Sequence, residues 1–485
     1  MAKYIQFNSF NIYFKYILLY TLIRYLNTCL LGHNHSNSFE EVNLNKFIYT
    51  SFGHKIKIDL ANFRMTEFFF NFIGTFIFSI ISRFFELYYS GNKIKNFFQI
   101  NDPFLVSQRK IFVFTESNFL NTSRKNNVIY KFKKYLVNNS SVFVYIIISF
   151  FWVAQEILIL MFYEFLRDVD FWFFEILIVT IIFSNIFLVE IYRHQQLAIG
   201  INLIPCIFKI TTIVLKFFCE ESTIYTEYPW WVPVGFLSYL ILIAISAFVN
   251  CTIKSFIDLK YTTIPQLIMF YSFTGIIVCI ITCLINTFVP CSEVNNPNYV
   301  DEKMCKVEYN NNLYFDNFIK YFSSFNAEIS FGKFISSLIV IFDSLTFFFK
   351  EYFYLLVIKY MGPVHITFAQ PLYFFLKKIV LVTNNLIRDK TFFKKTEDYK
   401  PARFFLDIGG DIICSFGFLI YLEIIEFKFY GLNYNLRKSI MERGKSNDIS
   451  MSELNEMNDE EVEIEEDDMT RIQSDDVSRE LKENN

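Results

Sequence analysis

The sequence contains no C-x-x-C pair among its nine cysteines, and its five histidines show none of the spacings typical of metal ligands. The cysteines stand at 29, 206, 219, 251, 279, 283, 291, 305 and 414. No small-residue cleavage site follows the first apolar run, which disfavours a removable signal peptide. These absences argue against a zinc site, a redox motif and a metal enzyme, and we expect no cofactor, no enzymatic activity and no nucleic-acid partner.

Glycine and proline are scarce too, with 14 and 10 residues in a chain of 485. Apolar residues are abundant instead: 53% of the chain is hydrophobic, 20% is aromatic, and 63 residues are phenylalanine. This apolar content far exceeds what one soluble core requires. The composition therefore predicts a membrane protein with several spans.

Ten stretches meet or approach the roughly 20 apolar residues that a helix needs to cross a bilayer. They lie at about 11–31, 68–88, 142–163, 171–190, 197–218, 232–253, 267–289, 334–357, 364–384 and 404–424. Five stretches precede Trp230 and five follow it, which is typical of an inverted repeat because an odd repeat flips its partner. Residues 445–485 follow the last stretch with 15 acids against 4 bases, and we expect a disordered cytosolic tail.

Lysine and arginine set the predicted orientation, because cytosolic loops carry an excess of them. Loop 89–140 has nine bases against two acids, which places it in the cytosol, and with ten spans both termini are cytosolic as well. The acidic loop 291–328 then faces the other side, where Cys291 and Cys305 could pair if that compartment is oxidising. Loop 385–403 has six bases against three acids, yet ten spans place it on the non-cytosolic side, against the positive-inside rule.

Ionisable side chains are predicted well inside several spans, and each would cost about 2.5 to 3.5 kcal/mol if it faced lipid. They are Glu156, Glu175, Lys209, Asp343, Lys350, Lys377, Lys378 and Asp411. Asp343 is nearly central in its span, and Lys350 and Glu351 share its helical face because they follow by seven and eight residues. That face is either the wall of a polar cavity or an ion pair that locks helices together, and both interpretations stay open.

The ninth stretch carries four polar residues on one helical face, within an arc of about 100°. They are Thr367, Gln370, Lys377 and Lys378. Pro371 removes one backbone hydrogen bond in the middle of the span. This stripe predicts a solute-binding face whose lysines Asp411 could compensate. The alternative is simple snorkelling of the lysines toward the membrane surface.

Three segments at junctions between predicted spans resemble a known superfamily. They read "LVEIYRHQQLAIGINLI" (188–204), "VNCTIKSFIDLKYTTIPQLIMFYSFTGIIVCII" (249–281) and "YLLVIKYMGPVHITFAQPLYFFLKKIVLV" (354–382). They are similar to the fourth-to-fifth, sixth-to-seventh and eighth-to-ninth helix junctions of the drug/metabolite transporter superfamily. Its ten-helix members with two repeats include EamA-type proteins and nucleotide-sugar transporters. The resemblance implies a solute carrier.

Within the second segment, Phe270 and Tyr271 look like the start of the Phe-Tyr-Asn-Asn motif that contacts the nucleotide in Golgi sugar-nucleotide carriers. Ser272 and Phe273 replace the two asparagines of that motif. Those carriers also have a Gly-Ala-Leu-Asn-Lys motif on the ninth helix, and Lys377 or Lys378 could stand for its lysine. The resemblance thus implies that both segments line the solute site.

These observations predict an all-α membrane protein of about ten transmembrane helices in two inverted five-helix repeats. The repeats are expected at 1–218 and 232–430, with the disordered tail at 445–485. The predicted function is transport of a small polar solute, with an anionic one favoured, by alternating access in a multi-pass carrier. The sequence leaves open an organelle or the plasma membrane and favours an endomembrane slightly. The expected solute-binding residues are Phe270, Tyr271, Asp343, Gln370, Lys377, Lys378 and Asp411.

A second hypothesis is a non-transporting membrane scaffold or receptor that works through loop 89–140 and the acidic tail. In that case the charges within the membrane are structural pairs. The partners expected in either case are the lipid bilayer and, for a carrier, a small-molecule solute. A homodimer and a cytosolic partner of the tail stay open.

Overall fold

The computed structural model shows a mostly helical protein. It describes residues 5–7, 14–31, 63–89, 142–166, 179–181, 193–219, 231–260, 262–291, 305, 307–328, 330–367 and 401–428, and single positions between these ranges and beyond. Four helices are long and apolar enough to cross a membrane: Arg64–Tyr89, Leu240–Asp258, Ile264–Phe288 and Ser330–Tyr360. Helices of this length and composition are typical of a membrane protein, as the composition predicts, while ten spans in two repeats remain a prediction.

The helices and strands follow one another along the chain with these bounds. They are β1 (Ile5–Phe7), α1 (Phe14–Leu31), α2 (Arg64–Tyr89), α3 (Val142–Leu166), α4 (Arg193–Cys219), α5 (Trp231–Lys260), α6 (Ile264–Phe288), β2 (Val307–Tyr309), β3 (Asn312–Tyr314), α7 (Phe318–Ala327), α8 (Ser330–Tyr360), α9 (Pro401–Tyr421) and β4 (Ile425–Phe427). Every helix except the short α7 overlaps a predicted span.

Several predicted segments lie outside the described residues. Of the predicted span at 171–190 only 179–181 is described, as helix, and the span at 364–384 is described only in part. Residues 90–140 and 385–400 of the two basic loops and the acidic tail also lie outside, so the predicted roles of these segments stay predictions.

The described residues belong to two compact units. The larger unit comprises residues 10–191 and 198–418 and contains the helix bundle. The smaller unit comprises 1–9, 192–197 and 419–485. In the smaller unit, β1 and β4 pair in antiparallel register with Gln6 opposite Glu426.

Helix α6 begins at a strong sequence signal. Thr263 and Gln266 form a capping box, and Pro265 stands in the first turn, where its missing N–H has no helical partner to lose. The apolar side chains that follow are buried against α2 and α3 on one face. The start of this helix is therefore encoded locally.

Aromatic rings fill the centre of the bundle around Phe72 on α2. Its ring packs edge-to-face against Phe68 at 5.1 Å, Tyr271 at 5.2 Å and Phe347 at 5.7 Å between ring centroids. Edge-to-face packing places the positive rim of one ring on the negative face of the next. This cluster joins α2, α6 and α8 into one core.

A disulfide between Cys291 and Cys305 closes one end of the bundle, which we call the disulfide end. The sequence allowed this pair, and the structure contains it. The hairpin β2–β3 follows, and its two-residue turn at Asn310 and Asn311 has φ values of 49° and 64°. Asparagine tolerates this left-handed conformation better than most residues, as two-residue hairpin turns require.

Asp316, which lies between β3 and α7, caps the first turn of α2. Its Oδ2 accepts hydrogen bonds from the backbone N–H groups of Met65 at 2.7 Å and Thr66 at 2.9 Å. Its Oδ1 accepts the Thr66 hydroxyl at 2.7 Å. A carboxylate at a helix start satisfies unpaired N–H groups and interacts favourably with the helix dipole. The start of α2 therefore lies at the disulfide end.

The other end of the bundle, which we call the opposite end, contains the ends of α2, α5 and α8 and the starts of α3 and α6. Arg83 of α2 donates to Thr263 before α6 at 3.3 Å, and the Tyr145 hydroxyl of α3 lies 2.7 Å from that of Thr262. Lys254 of α5 donates to the carbonyl of Lys359 in α8 at 2.6 Å. The helices that meet here therefore alternate in direction.

The stability of the disulfide end should depend on pH through Asp316. Burial raises the pKa of this carboxyl to about 6, against hydrogen bonds from Thr66 and Met65 that favour the carboxylate. The folded state therefore holds the proton more tightly, and its stabilisation is complete below the unfolded pKa and lost as pH rises through about 6. We expect the free energy of unfolding to fall by up to roughly 3 kcal/mol between pH 4 and pH 6.

Chemical unfolding of the purified protein across that range measures this change. Asp316→Asn provides the control, because it removes the titration and keeps an acceptor oxygen at the start of α2. An equally steep pH dependence in Asp316→Asn would assign the effect to other groups.

Candidate binding site within the helix bundle

Helix α8 carries three charged residues through the interior of the bundle. Asp343 and Glu351 are buried, and the Lys350 side chain is 13% exposed. They occupy one face of α8 because they are spaced by seven and eight residues. Asp343 lies about 12 Å from Glu351 along the axis, at 1.5 Å per residue. The helix thus presents two polar levels, with Asp343 nearer the disulfide end.

At the first level, neutral polar side chains surround the Asp343 carboxylate. Asn27 of α1 donates from Nδ2 to Oδ1 at 2.9 Å, and Asn71 of α2 donates from Nδ2 to Oδ2 at 2.6 Å. The Ser344 hydroxyl donates to Asn71 Oδ1 at 3.1 Å, and Asn27 Nδ2 lies 3.3 Å from the Thr346 hydroxyl. We call these five residues the Asp343 network, and it joins α1, α2 and α8.

At the second level, Lys350 Nζ forms an ion pair with Glu351 Oε1 at 2.8 Å. The ammonium also lies 4.3 Å from the centre of the Phe347 ring, a cation–π distance. Charges that are removed from water need such partners, because each would otherwise lose its solvation without compensation. Lys350 and Glu351 therefore stabilise each other within the bundle.

Glu156 of α3 lies at the same level as this pair. The rings of Trp152 and Tyr354 are in contact, with 5.7 Å between centroids. Glu156 follows Trp152 by one turn on α3, and Lys350 precedes Tyr354 by one turn on α8. Because the two helices are antiparallel, both steps lead toward the same end of the bundle. The two side chains thus face the same layer, and Glu156 attracts Lys350 electrostatically.

Tyr271 of α6 completes this layer. Its ring stacks on Trp152, with 4.1 Å between centroids and an interplanar angle of 26°. The side chain is wholly buried, yet its hydroxyl makes no hydrogen bond to any described residue. Burying a hydroxyl without a partner is unfavourable. We call Trp152, Glu156, Tyr271, Lys350 and Glu351 the Lys350 cluster.

The predicted site residues that the structure describes do not meet at one place. Asp343 and Tyr271 lie at the two levels of the bundle, separated by the packed rings of Phe72 and Phe347. Phe270 is half-buried and stacks on Tyr145 at 5.4 Å. Gln370, Lys377 and Lys378 lie outside the described residues, so the predicted polar stripe stays a prediction.

Asp411 lies on α9, which packs against α4. A Cβ added at Gly410 would lie 3.6 Å from Pro205, and one added at Gly417 would lie 2.8 Å from the Asn202 side chain. The two helices are therefore in contact at these α9 glycines, and they approach most closely at Gly417. Asp411 itself is fully buried, and its role in a solute site stays a prediction.

Sequence reasoning missed several residues that the structure brings to these levels. Asn27, Asn71 and Trp152 were not singled out, because an amide or an indole in an apolar stretch costs far less than a charge. Their signal was that each lies within a predicted span, Trp152 near its middle and the two asparagines nearer an end. The residues that the structure describes hold no group of three or more His, Cys, Asp or Glu that could bind a metal ion.

No protein-family model matches the chain, and no curated protein matches it. The resemblance of its helix junctions to a transporter superfamily therefore stays an expectation.

Proposed function

We propose that the chain is a multi-pass membrane solute carrier of the drug/metabolite transporter type. The observation that carries this proposal is the Lys350 cluster inside an apolar bundle. It contains an ion pair and a Tyr271 hydroxyl that makes no hydrogen bond to a described residue. Ionisable groups within membrane helices are costly and typically mark a pathway for a substrate or an ion. A purely structural core would gain stability from apolar residues at these positions.

The directions of the helices support the proposed topology. The disulfide end holds the start of α2, the end of α6 and the start of α8, and a disulfide persists in an oxidising compartment. The opposite end holds the end of α2 and the start of α3, which are joined by the basic loop 89–140. We therefore propose that the opposite end is cytosolic, in agreement with the positive-inside rule.

The proposed solute is small, polar and anionic. Lys350 is a cation inside the described bundle. Arg24 of α1, whose guanidinium lies 4.7 Å from the centre of the Tyr373 ring, acts electrostatically on Glu351 of the same cluster. Charge-assisted hydrogen bonds from such groups would bind a carboxylate or phosphate. The Tyr271 hydroxyl would donate a further hydrogen bond. In the proposed mechanism the two five-helix halves rock about this site, as in transporters with inverted repeats.

Tyr271→Phe should reduce transport without weakening the fold. The substitution removes only a hydroxyl that makes no hydrogen bond to the described residues, so we expect unchanged thermal stability. If the hydroxyl binds a charged solute group, its loss should lower kcat/KM about tenfold to a hundredfold. The measurement is saturable uptake into proteoliposomes of a labelled solute, found by screening sugar phosphates, nucleotide sugars and carboxylates.

Tyr145→Phe is the matched control, because the Tyr145 hydroxyl hydrogen-bonds to Thr262 at the opposite end. It should cost about 1 kcal/mol of stability and leave uptake per folded molecule unchanged. Equal uptake by Tyr271→Phe and the unmodified protein would remove Tyr271 from the solute site.

A scaffold or receptor is the second candidate, and the Asp343 network favours it. Both carboxylate oxygens of Asp343 accept hydrogen bonds that join three helices, an arrangement suited to a fixed structure. A scaffold would show no saturable uptake of any solute in the same liposomes. The uptake measurement therefore decides between the two candidates.

A further inference from the structure

The Asp343 carboxylate forms no ion pair with a described cation. Its described hydrogen-bond donors are the neutral amides of Asn27 and Asn71. Lys350, seven residues away on α8, is already ion-paired with Glu351. A carboxylate that is wholly buried at mid-depth in a membrane-length helix is strongly destabilised without a compensating positive charge.

Two amides and two hydroxyls belong to one hydrogen-bonded network with this carboxylate. Asn27 and Asn71 present Nδ2 to it, while Asn71 Oδ1 accepts a hydrogen bond from the Ser344 hydroxyl. The Thr346 hydroxyl lies 3.3 Å from Asn27 Nδ2. The backbone carbonyl of Asp343 lies 2.8 Å from the Thr346 hydroxyl. Small hard cations prefer ligand sets of this kind, made of carboxylate, carbonyl and hydroxyl oxygens.

The two asparagines can serve this carboxylate in two ways. In the structure their Nδ2 atoms face it and donate hydrogen bonds. Half a turn about the Cβ–Cγ bond exchanges Nδ2 for Oδ1 with little change in shape. The same side chains would then present oxygen toward a cation beside Asp343. No backbone movement is required for this exchange.

We propose that Asp343, Asn27, Asn71, Ser344 and Thr346 form a binding site for a single small monovalent cation, Na⁺ or H⁺. Cation binding would neutralise Asp343 and join α1, α2 and α8 through one centre. This inference deepens the carrier proposal and rests on it for one role, that of the ion that drives solute movement. Transporters commonly place such ions near the middle of the membrane.

Other charged groups near the site do not replace the cation. The titratable residues within about two turns of Asp343 or its contacts lie on α8 and on the helices that pack against it. They are Tyr20, Arg24, Tyr25, Arg64, Glu67, Tyr271, Lys350 and Glu351. Lys350 is the one that acts electrostatically on Asp343. Its pairing with Glu351 limits the compensation that it supplies.

Thermal unfolding of the purified full-length protein tests the site with the ions alone. At fixed pH and ionic strength, replacing choline chloride by NaCl should raise the unfolding midpoint progressively, because a ligand that binds the folded state stabilises it. Asp343→Asn should abolish the shift. Asp258→Asn, which changes an aspartate on α5 beside Lys254, should retain it.

A second arm distinguishes the two cations. This arm uses an Asp316→Asn background, because Asp316 is itself expected to stabilise the protein as pH falls through about 6. In choline chloride without Na⁺, a site selective for H⁺ should show stabilisation as pH falls from 8 to 5, and Asp343→Asn should remove that dependence while NaCl has no effect. Stabilisation by neither ion, or stabilisation that survives Asp343→Asn in this background, would overturn the proposal.

Thr346→Val keeps the site testable if Asp343→Asn does not fold. It replaces one hydroxyl by a methyl of similar shape, so the fold should persist while Na⁺ affinity, measured by binding of radioactive Na⁺, falls about tenfold. If the site takes H⁺, the pH dependence should shift in the same variant. Unchanged values in both measurements would contradict the site. These ion measurements contain no solute, so their outcome does not depend on the carrier proposal. That proposal fails separately, if the proteoliposomes take up no solute.

Discussion

Lys350→Met should lower the free energy of unfolding by about 3 to 5 kcal/mol, whereas the double variant Lys350→Met with Glu351→Gln should cost much less. The single substitution leaves the Glu351 carboxylate charged at 2% exposure, without its partner at 2.8 Å. It also removes the cation from the face of the Phe347 ring. The double variant leaves neutral groups of similar volume. Denaturant unfolding of the three proteins in one detergent measures both differences.

Lys254→Met is the matched control for the single substitution. Lys254 also pairs with an acid on its own helix, Asp258 at 3.2 Å, but the Asp258 side chain is 43% exposed. Partly exposed pairs contribute little, and with the hydrogen bond to Lys359 lost as well we expect a cost of about 1 kcal/mol. Equal costs for Lys350→Met and Lys254→Met would show that water reaches the Lys350 cluster in the folded protein.

The sequence predicted the charged face of α8 because the face is local. Spacings of seven and eight residues place Lys350 and Glu351 on the side of Asp343 in any α-helix. It left open whether this face lines a cavity or locks helices. Hydrogen bonds from Asn27 and Asn71 to Asp343 join α8 to two other helices, while a cavity wall stays a prediction. The Lys350–Glu351 pair is an ion pair, while the Tyr271 hydroxyl in the same layer makes no hydrogen bond to a described residue.

The partners of Asp343 could not be predicted in the same way. Asn27 and Asn71 are separated from it by 316 and 272 residues, and no periodic pattern relates positions that far apart. Neutral amides also produce no strong signal in an apolar stretch. Which amide meets the carboxylate depends on how α1 and α2 pack on α8, and that follows from the shapes of many side chains together.

At the disulfide end, too, the sequence indicated a local feature and missed a long-range one. The spacing of Cys291 and Cys305 in one acidic loop allowed a disulfide, and the structure contains it. The capping of α2 by Asp316 spans 250 residues and has no counterpart in local helix-start rules, which consider only neighbouring residues. The solute stripe predicted at Gln370, Lys377 and Lys378 lies outside the described residues and stays a prediction.

Gly275→Ala should be among the most destabilising single-methyl additions in the bundle. A Cβ at this position of α6 would overlap the ring of Phe72 on α2. That ring cannot turn aside, because Phe68, Tyr271 and Phe347 pack around it. Overpacking of this kind typically costs about 1 to 3 kcal/mol, and relief would require α2 and α6 to separate. The loss of unfolding free energy in denaturant measures the effect.

Gly200→Ala on α4 separates packing from helix propensity. It adds the same methyl to the same kind of secondary structure, but a Cβ there would meet no atom within 4 Å. Alanine favours a helix over glycine by up to about 1 kcal/mol, so this variant should be neutral or more stable. A Gly275→Ala protein as stable as Gly200→Ala would show that α2 and α6 adjust to the methyl. The close approach at Phe72 would then not hold Tyr271 in place against Trp152.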